Sequence, residues 1–132
     1  MYDEFKHKLQ VKAELSKRGL GSVMNDTKWR ELLAGIDDLP FPPPYQRKDV
    51  LSSEASPESF DEDVWYQGDW NEGIFPLFSI EWIRIRPRYL RHEGRLLPKS
   101  VIDCGVQLEQ LLQSLKQPYE KFDDSFWIYG YK

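Results

Sequence analysis

Apolar residues recur at helical spacing in two segments of the first 40 residues. The first segment, residues 2–18, has a narrow stripe of Tyr2, Phe5, Leu9 and Ala13. The second starts at three residues whose side-chain oxygens can cap a helix, Asn25, Asp26 and Thr27, and ends at Pro40. Its stripe consists of Trp29, Leu32, Leu33 and Ile36. We expect residues 1–23 to be a peripheral helix or N-terminal extension, and residues 24–132 to form one compact domain.

Alternation with a period of two residues predicts strands further along the chain. In residues 77–90 the alternation changes phase. A β-bulge near Trp82–Ile83 would restore one continuous buried face, and the alternative is a strand that is covered on both sides near Trp82. Pro87 limits pairing beyond that point. Residues 119–131 predict a hairpin that turns at residues 123–125, and an exposed edge at 126–131 would permit a homodimer.

A third helix is predicted after residue 100, because Ser100 and Asp103 have the spacing of a capping box. Its apolar stripe contains Val101, Cys104, Leu108, Leu111, Leu112 and Leu115. Cys104 lies on that stripe and is therefore interpreted as a core residue. The order of elements favours an α+β fold in which helices pack on one face of an antiparallel sheet.

Composition changes this picture little. The chain has 132 residues, of which 40% are hydrophobic, and no apolar run reaches the length of a membrane span. The first ten residues lack the apolar core of a secretion signal. One cysteine cannot form an internal disulfide, so the simplest location is the reducing cytoplasm.

Charge is distributed unevenly, although the net charge is only −4. Residues 54–73 contain seven acids and no base, whereas residues 84–99 contain six bases and one acid. The two blocks can pair with each other inside the fold, or each can face a separate partner.

Motifs for catalysis or cofactor binding are absent. The chain lacks glycine-rich phosphate loops, and its two histidines, His7 and His92, have no serine or cysteine motif beside them. Residues 61–72 do not fit a calcium-binding loop, because Trp65 and Tyr66 occupy positions that need ligands. We expect no cofactor, no metal and no enzymatic activity. One alternative is a small hydrolase that uses the carboxylates of residues 61–72.

The segment FDEDVWYQGDWNEG at residues 60–73 combines acids with large aromatic rings. Tryptophan and tyrosine dominate the binding energy of many interfaces, and carboxylates attract cationic partners. We therefore predict a protein-binding surface made by Asp61, Glu62, Asp63, Trp65, Tyr66, Asp69 and Trp70. In the competing interpretation, the tryptophans fold into the core and only the acids are solvated.

Nucleic-acid binding is the other alternative, because several arginines follow an alternating pattern beside Trp82 and Tyr89. The arginines in question are Arg84, Arg86, Arg88 and Arg91. The chain as a whole is acidic, whereas dedicated nucleic-acid-binding proteins are usually basic. We therefore rank this function below protein binding.

Several fragments occur in a familiar order: WRELL (29–33), GDW (68–70), IEW and IRP (80–82, 85–87), GRLLP (94–98), PYE (118–120) and WIYGY (127–131). Over residues 24–131 the chain resembles a family of small bacterial proteins of unknown function. More loosely, it is similar to the acidic immunity proteins that neutralise bacterial toxins. The family resemblance implies a bacterial cytosolic single domain and no particular activity. The acidic segment, together with the looser likeness, leads us to expect an immunity protein or inhibitor whose partner is a cationic toxin domain.

Overall fold

Four antiparallel strands form the main sheet of the computed structural model, which describes residues 1–132. The strands in chain order are β1 (Tyr45–Asp49), β2 (Ile80–Ile85), β3 (Arg88–Arg91), β4 (Ser100–Asp103), β5 (Glu120–Phe122) and β6 (Ser125–Tyr129). The main sheet has the order β1-β2-β6-β5, and β3 pairs with β4 in a second antiparallel sheet. The helices are α1 (Glu4–Arg18), α2 (Asp26–Ile36) and α3 (Gly105–Ser114). The predicted α+β class is confirmed.

Helices α2 and α3 cover one face of the main sheet. Leu32 of α2 and Leu108 of α3 belong to the same buried cluster as Ile83 of β2 and Ile128 of β6. Each of these side chains is fully removed from water, and burial of a branched aliphatic side chain contributes about 1.5–3 kcal/mol. The opposite face of the sheet is therefore left for another part of the chain to cover.

The predicted bulge in β2 is confirmed within one residue. Lys48 pairs with Trp82 and Asp49 pairs with Ile80, which leaves Glu81 as the extra residue. Ile80 and Ile83 are both fully buried, although three positions separate them. An unshifted strand would send their side chains to opposite faces, so the bulge is what gives the sheet one continuous apolar face.

The predicted start of the third helix is wrong. Residues 100–103 form β4, and the helix begins only at Gly105, whose N–H donates to Asp103 Oδ1 at 2.7 Å. Val101 and Ile102 are β-branched and pair with β3, so strand pairing overrides the capping pattern. Val101 is consequently exposed rather than part of the buried stripe, whereas Cys104 is fully buried as predicted.

Two other local predictions are confirmed, and one is corrected. The Asn25 side chain accepts a hydrogen bond from the Lys28 N–H at 2.8 Å and caps α2. The C-terminal hairpin turns at Asp123 and Asp124, whose φ angles of 53° and 55° match the twist of the two strands. Strand β6, however, lies between β2 and β5. It is not a free edge, so a homodimer cannot form by extension from it.

The apolar residues that were expected to form the stripe of the first helix are exposed, namely Tyr2, which precedes α1, and Phe5 and Leu9 within it; α1 buries Val11 instead. Its C-terminal end is held against the main sheet, because the Arg18 guanidinium donates to both carboxylate oxygens of Glu81 at 2.7 and 3.0 Å.

No helix has the length and apolarity that crossing a membrane requires.

Candidate functional site

The acidic-aromatic segment covers the face of the main sheet opposite the helices. Phe60 is buried there, and the Gln46 side chain of β1 donates to the Pro57 carbonyl at 2.8 Å. Arg84 of β2 lies on the same face, because it pairs across the sheet with Gln46 and Trp127. This arrangement explains why one segment is both acidic and aromatic: the aromatic ring fills the face, and the acids meet the arginines that lie on it.

Arg84 is almost completely buried and interacts with several groups. Its Nη1 donates to Asp61 Oδ1 at 2.8 Å and its Nε donates to Ser125 Oγ at 2.8 Å. Its Nη2 donates to the Asp123 carbonyl at 3.3 Å, and the guanidinium lies 5.2 Å from the Trp127 ring centroid. Asp61 is thus one of several partners, which matters for the effect of removing it.

Asp63 connects two more arginines. Its Oδ1 accepts from Arg86 Nη2 at 2.9 Å and from Arg88 Nε at 2.7 Å. Burial opposes ionisation of Asp63, but the hydrogen bonds and charges of Arg86 and Arg88 outweigh it and hold the pKa of the carboxyl below its usual value. Arg86 Nε is buried and has no hydrogen-bond partner, so Asp63 carries most of the compensation for that guanidinium.

The acidic and basic blocks therefore pair with each other in part. Asp61 and Asp63 are two residues apart, and so are their partners Arg84 and Arg86. The side chains of these two arginines are only 7% and 6% exposed, so they cannot contact a nucleic-acid backbone while they keep their partners. Of the other two arginines, Arg88 is held by Asp63, and Arg91 is half-exposed and paired with Glu93 at 3.0 Å.

The aromatic residues of the segment separate into buried and exposed ones. Trp70 is buried in the core, where its Nε1 donates to the Pro43 carbonyl at 2.8 Å. Trp65 and Tyr66 remain 50% and 48% exposed. Trp65 stacks on His92 with a centroid distance of 4.3 Å and an interplanar angle of 18°. Tyr66 instead lies beside Asp69.

Tyr66 and Asp69 line an open pocket of about 310 Å³ together with Tyr45, Arg47 and Ser56. The Tyr45 hydroxyl donates to the Asp69 carbonyl at 2.6 Å, and burial raises the pKa of Tyr45 to about 12. The pocket is the place where the structure brings two of the predicted partner-binding residues together.

The Asp69 carboxylate is negatively charged in this pocket. Hydrogen bonds from the backbone N–H groups of Glu72, Gly73 and Asn71 lower the pKa of Asp69 below its usual value. Arg47, the cation in the pocket, is already bound: its Nε pairs with Asp49 at 2.6 Å, and its other nitrogens donate to Ser79 and to carbonyl groups between Gly73 and Pro76. The Asp69 charge is therefore available to an external cation.

Several acids of residues 54–73 have no ion pair, and one of them, Asp69, lines the pocket. Five acids of residues 54–73 are exposed and form no salt bridge, in contrast to Asp61 and Asp63: Glu54, Glu58, Glu62, Asp69 and Glu72. No three His, Cys, Asp or Glu side chains lie close enough together to hold a metal ion.

Sequence reasoning missed Tyr45, Arg47 and Ser56. Tyr45 and Arg47 are two residues apart in β1, a spacing that puts them on one face of a strand. Ser56 reaches the pocket because its backbone exchanges two hydrogen bonds with Arg47, at 2.8 and 2.9 Å. The alternation in β1 was a usable signal, but nothing in the sequence ties residue 56 to residue 47.

Comparison with known proteins places the chain in a family. The model of a family of unknown function, DUF6678, matches residues 11–132, and the chain belongs to that family. The predicted resemblance to an unknown-function family is thereby confirmed, and the match begins 13 residues earlier than the resemblance noted from residue 24. No curated protein and no solved structure matches the chain.

Proposed function

We propose that this member of DUF6678 is a non-enzymatic binding protein that docks a cationic partner protein on the pocket of Tyr66 and Asp69. In its specific form, the proposal is that the chain is a cytoplasmic immunity protein that neutralises a bacterial toxin. The observation that carries it is the pairing of a half-exposed tyrosine with an unneutralised carboxylate in one open pocket.

The chemistry of the pocket suits a lysine or arginine side chain. A guanidinium or ammonium group can stack on the Tyr66 ring and pair with the Asp69 carboxylate, and both contacts are stronger when the partner excludes water. A volume of about 310 Å³ accommodates one long side chain with its neighbours. Tyrosine is also among the residues that contribute most to interface affinity.

The pocket is held in place before any partner binds. Trp70 anchors the segment to the Pro43 carbonyl on one side, and Asp63 anchors it to Arg86 and Arg88 on the other. Gly68 packs so closely against the Pro43 carbonyl that a Cβ atom has no room there. A preordered surface loses less conformational entropy on binding, which favours affinity.

The surrounding charge supplies long-range attraction. The exposed acids without ion pairs extend along residues 54–72 and raise the encounter rate with a basic protein. A toxin that cleaves nucleic acid has a cationic active site, and exposed carboxylates on this segment would occupy the positions of phosphate groups. This is the reason for naming a toxin as the partner.

The test is binding to the co-expressed product of the neighbouring gene, measured with purified proteins by calorimetry. We expect Tyr66→Ala to weaken binding at least tenfold, and Asp69→Asn to weaken it several-fold, most strongly at low salt. Asparagine keeps an oxygen that can accept the backbone N–H groups, so the second variant removes charge without removing the turn. Glu31→Gln on α2 is the matched control, because Glu31 is exposed and unpaired.

Wild-type affinity in both pocket variants would reject the proposed site. The immunity role has its own readout: the wild-type chain restores growth of cells that produce the neighbouring protein, and the Tyr66→Ala variant does so less well. A neighbouring protein that does not inhibit growth would reject the toxin as partner and leave the binding result as a separate finding.

A further inference from the structure

Strand β4 has one free edge. It pairs only with β3, whereas β3 is covered on its other side, where the Leu90 N–H donates to the Val64 carbonyl at 2.7 Å. The other edges are occupied or short: β1 forms a bridge with Ser56, and β5 has three residues. Lys121 at the centre of β5 is paired with Glu109 at 3.1 Å.

The backbone of Val101 points toward the free edge. The Cys104 N–H donates to the Pro87 carbonyl at 2.8 Å, so Cys104 and Pro87 form a hydrogen-bonded pair. Hydrogen-bonded and non-hydrogen-bonded pairs alternate along an antiparallel sheet. The backbone N–H and C=O groups of Ile102 therefore also point toward β3, whereas those of Val101 and Asp103 point away from β3. Backbone N–H and C=O groups without a hydrogen-bond partner can pair with a strand of another chain.

Within its four residues, β4 carries neither lysine nor proline, which natural edge strands use to prevent pairing between chains, although Pro98 and Lys99 directly precede it. The strand reads Ser-Val-Ile-Asp, and its Val101 is half exposed. The loop before it presents Leu96 and Leu97, of which Leu96 is 95% exposed. An apolar, β-branched edge next to exposed leucines is suited to burial in an interface.

Charge complementarity identifies a second copy of this chain as the occupant. In an antiparallel pairing with a two-fold axis at Val101, Val101 faces Val101 of the other copy, and Lys99 faces Asp103. Neither Lys99 nor Asp103 has an ion pair within the chain, although the Asp103 carboxylate caps the N–H of Gly105. The symmetry creates two such opposite-charge pairs per dimer.

We infer that the chain forms a symmetric homodimer in which the β4 strands of two copies join the two small sheets into one four-stranded sheet. The outward groups of Val101 exchange two backbone hydrogen bonds at the axis. In this register the loop with Leu96 and Leu97 runs toward the start of α3 in the other copy, where Val106 is exposed. The interface uses neither Tyr66 nor Asp69, so it is independent of the proposed docking pocket.

Sedimentation equilibrium of the full chain tests the dimer. We expect a concentration-dependent dimer for the wild type and at least a tenfold higher dissociation constant for Val101→Pro, because proline removes the outward N–H donor and is tolerated on an edge. Val101→Thr is the matched control, since it keeps the N–H and the β-branch, and it remains dimeric. A monomeric wild type at all concentrations, or unchanged dimerisation of Val101→Pro, would overturn the inference.

The charge pairs have a separate test. Lys99→Glu places a carboxylate against Asp103 of the other copy twice per dimer, and we expect about a tenfold loss of affinity that shrinks at high salt. Lys12→Glu on α1 makes the same change in net charge far from β4 and leaves the dimer intact. Equal dissociation constants for these two variants would show that Lys99 does not face a carboxylate.

Cross-linking tests the position of the axis even if the proline variant fails to fold. Val101→Cys brings two thiols together, because the two residues of a hydrogen-bonded antiparallel pair have Cα atoms about 5.5 Å apart, within disulfide range. We expect a covalent dimer under mild oxidation. Val106→Cys is the control, because Val106 is more exposed than Val101 but lies off the axis, and the native Cys104 is buried. Equal cross-linking of both variants, or none at position 101, would contradict the pairing.

Discussion

Asp61 and Asp63 are two residues apart and each pairs with a buried arginine, yet their environments differ. The Asp61 side chain is 80% exposed and its partner Arg84 has further acceptors in Ser125 and Asp123. The Asp63 side chain is 26% exposed and is the one carboxylate bonded to Arg86, whose Nε has no partner. Each residue's contribution to stability depends on what its arginine retains when the carboxylate is removed.

Replacement of each aspartate by alanine separates the two cases. Asp63→Ala leaves the buried Arg86 without a carboxylate, so we expect the free energy of unfolding to fall by about 2–4 kcal/mol. Asp61→Ala removes an exposed group from an arginine that keeps other acceptors, and the expected loss is below about 1 kcal/mol. Urea unfolding measures both. Equal losses, or a larger loss for Asp61→Ala, would contradict the assigned anchoring role of Asp63.

Acid sensitivity follows from the same carboxylates. Burial opposes ionisation of Glu81, but Arg18 and Lys48 outweigh it and hold its pKa below the usual value of 4.5, as Arg86 and Arg88 do for Asp63 against its usual 3.8. A lowered folded-state pKa means that the unfolded chain binds protons first as pH falls. The stabilisation is present at neutral pH and is lost below about pH 4.5.

Unfolding free energies measured from pH 7 to pH 2 test this dependence. The wild type is expected to lose stability progressively below about pH 4.5, with a shallower decline in Glu81→Gln, which no longer has that proton to bind. A wild-type curve that stays flat to pH 2, or an unchanged slope in the variant, would show that the pKa values of these carboxyl groups do not differ between the folded and unfolded states.

At the scale of elements, only one of the two predicted helix starts is a helix start in the structure, because the other lies in a paired strand. Asn25 caps α2 through its side chain, whereas Ser100 belongs to β4. We expect Asn25→Ala to reduce the free energy of unfolding by about 1 kcal/mol, and Ser100→Ala to change it by less than about 0.5 kcal/mol. Urea unfolding compares the two. A cost near 1 kcal/mol at Ser100 would support the capping box instead.

Local patterns predicted the elements that local forces determine. The cap at Asn25, the hairpin turn at Asp123 and the bulge next to Trp82 each depend on neighbouring residues, and each is present. The assignment of residues 100–103 failed because Ser100 and Asp103 satisfy a helix pattern while the strand at residues 88–91 offers pairing. A strand with a distant partner cannot be identified from its own sequence alone.

At the scale of the whole molecule, the fold class could be predicted and the site only partly. The sequence located the acidic-aromatic segment, but it could not decide which of its residues face inward. The equal spacing in Asp61–Asp63 and Arg84–Arg86 was a signal for internal pairing, although only the tertiary structure brings these segments together. The pocket partners of Tyr66 come from β1, which no motif connects to residue 66.

The central claim is that the surface around Tyr66 and Asp69 is the docking site of a cationic protein. Hydrogen–deuterium exchange of the chain, alone and bound to the co-expressed product of the neighbouring gene, tests it most directly. We predict that backbone amides in residues 65–73 become protected in the complex, while those on the exposed side of α1 do not change. Protection confined to other surfaces, with residues 65–73 exchanging as in the free chain, would contradict the claim.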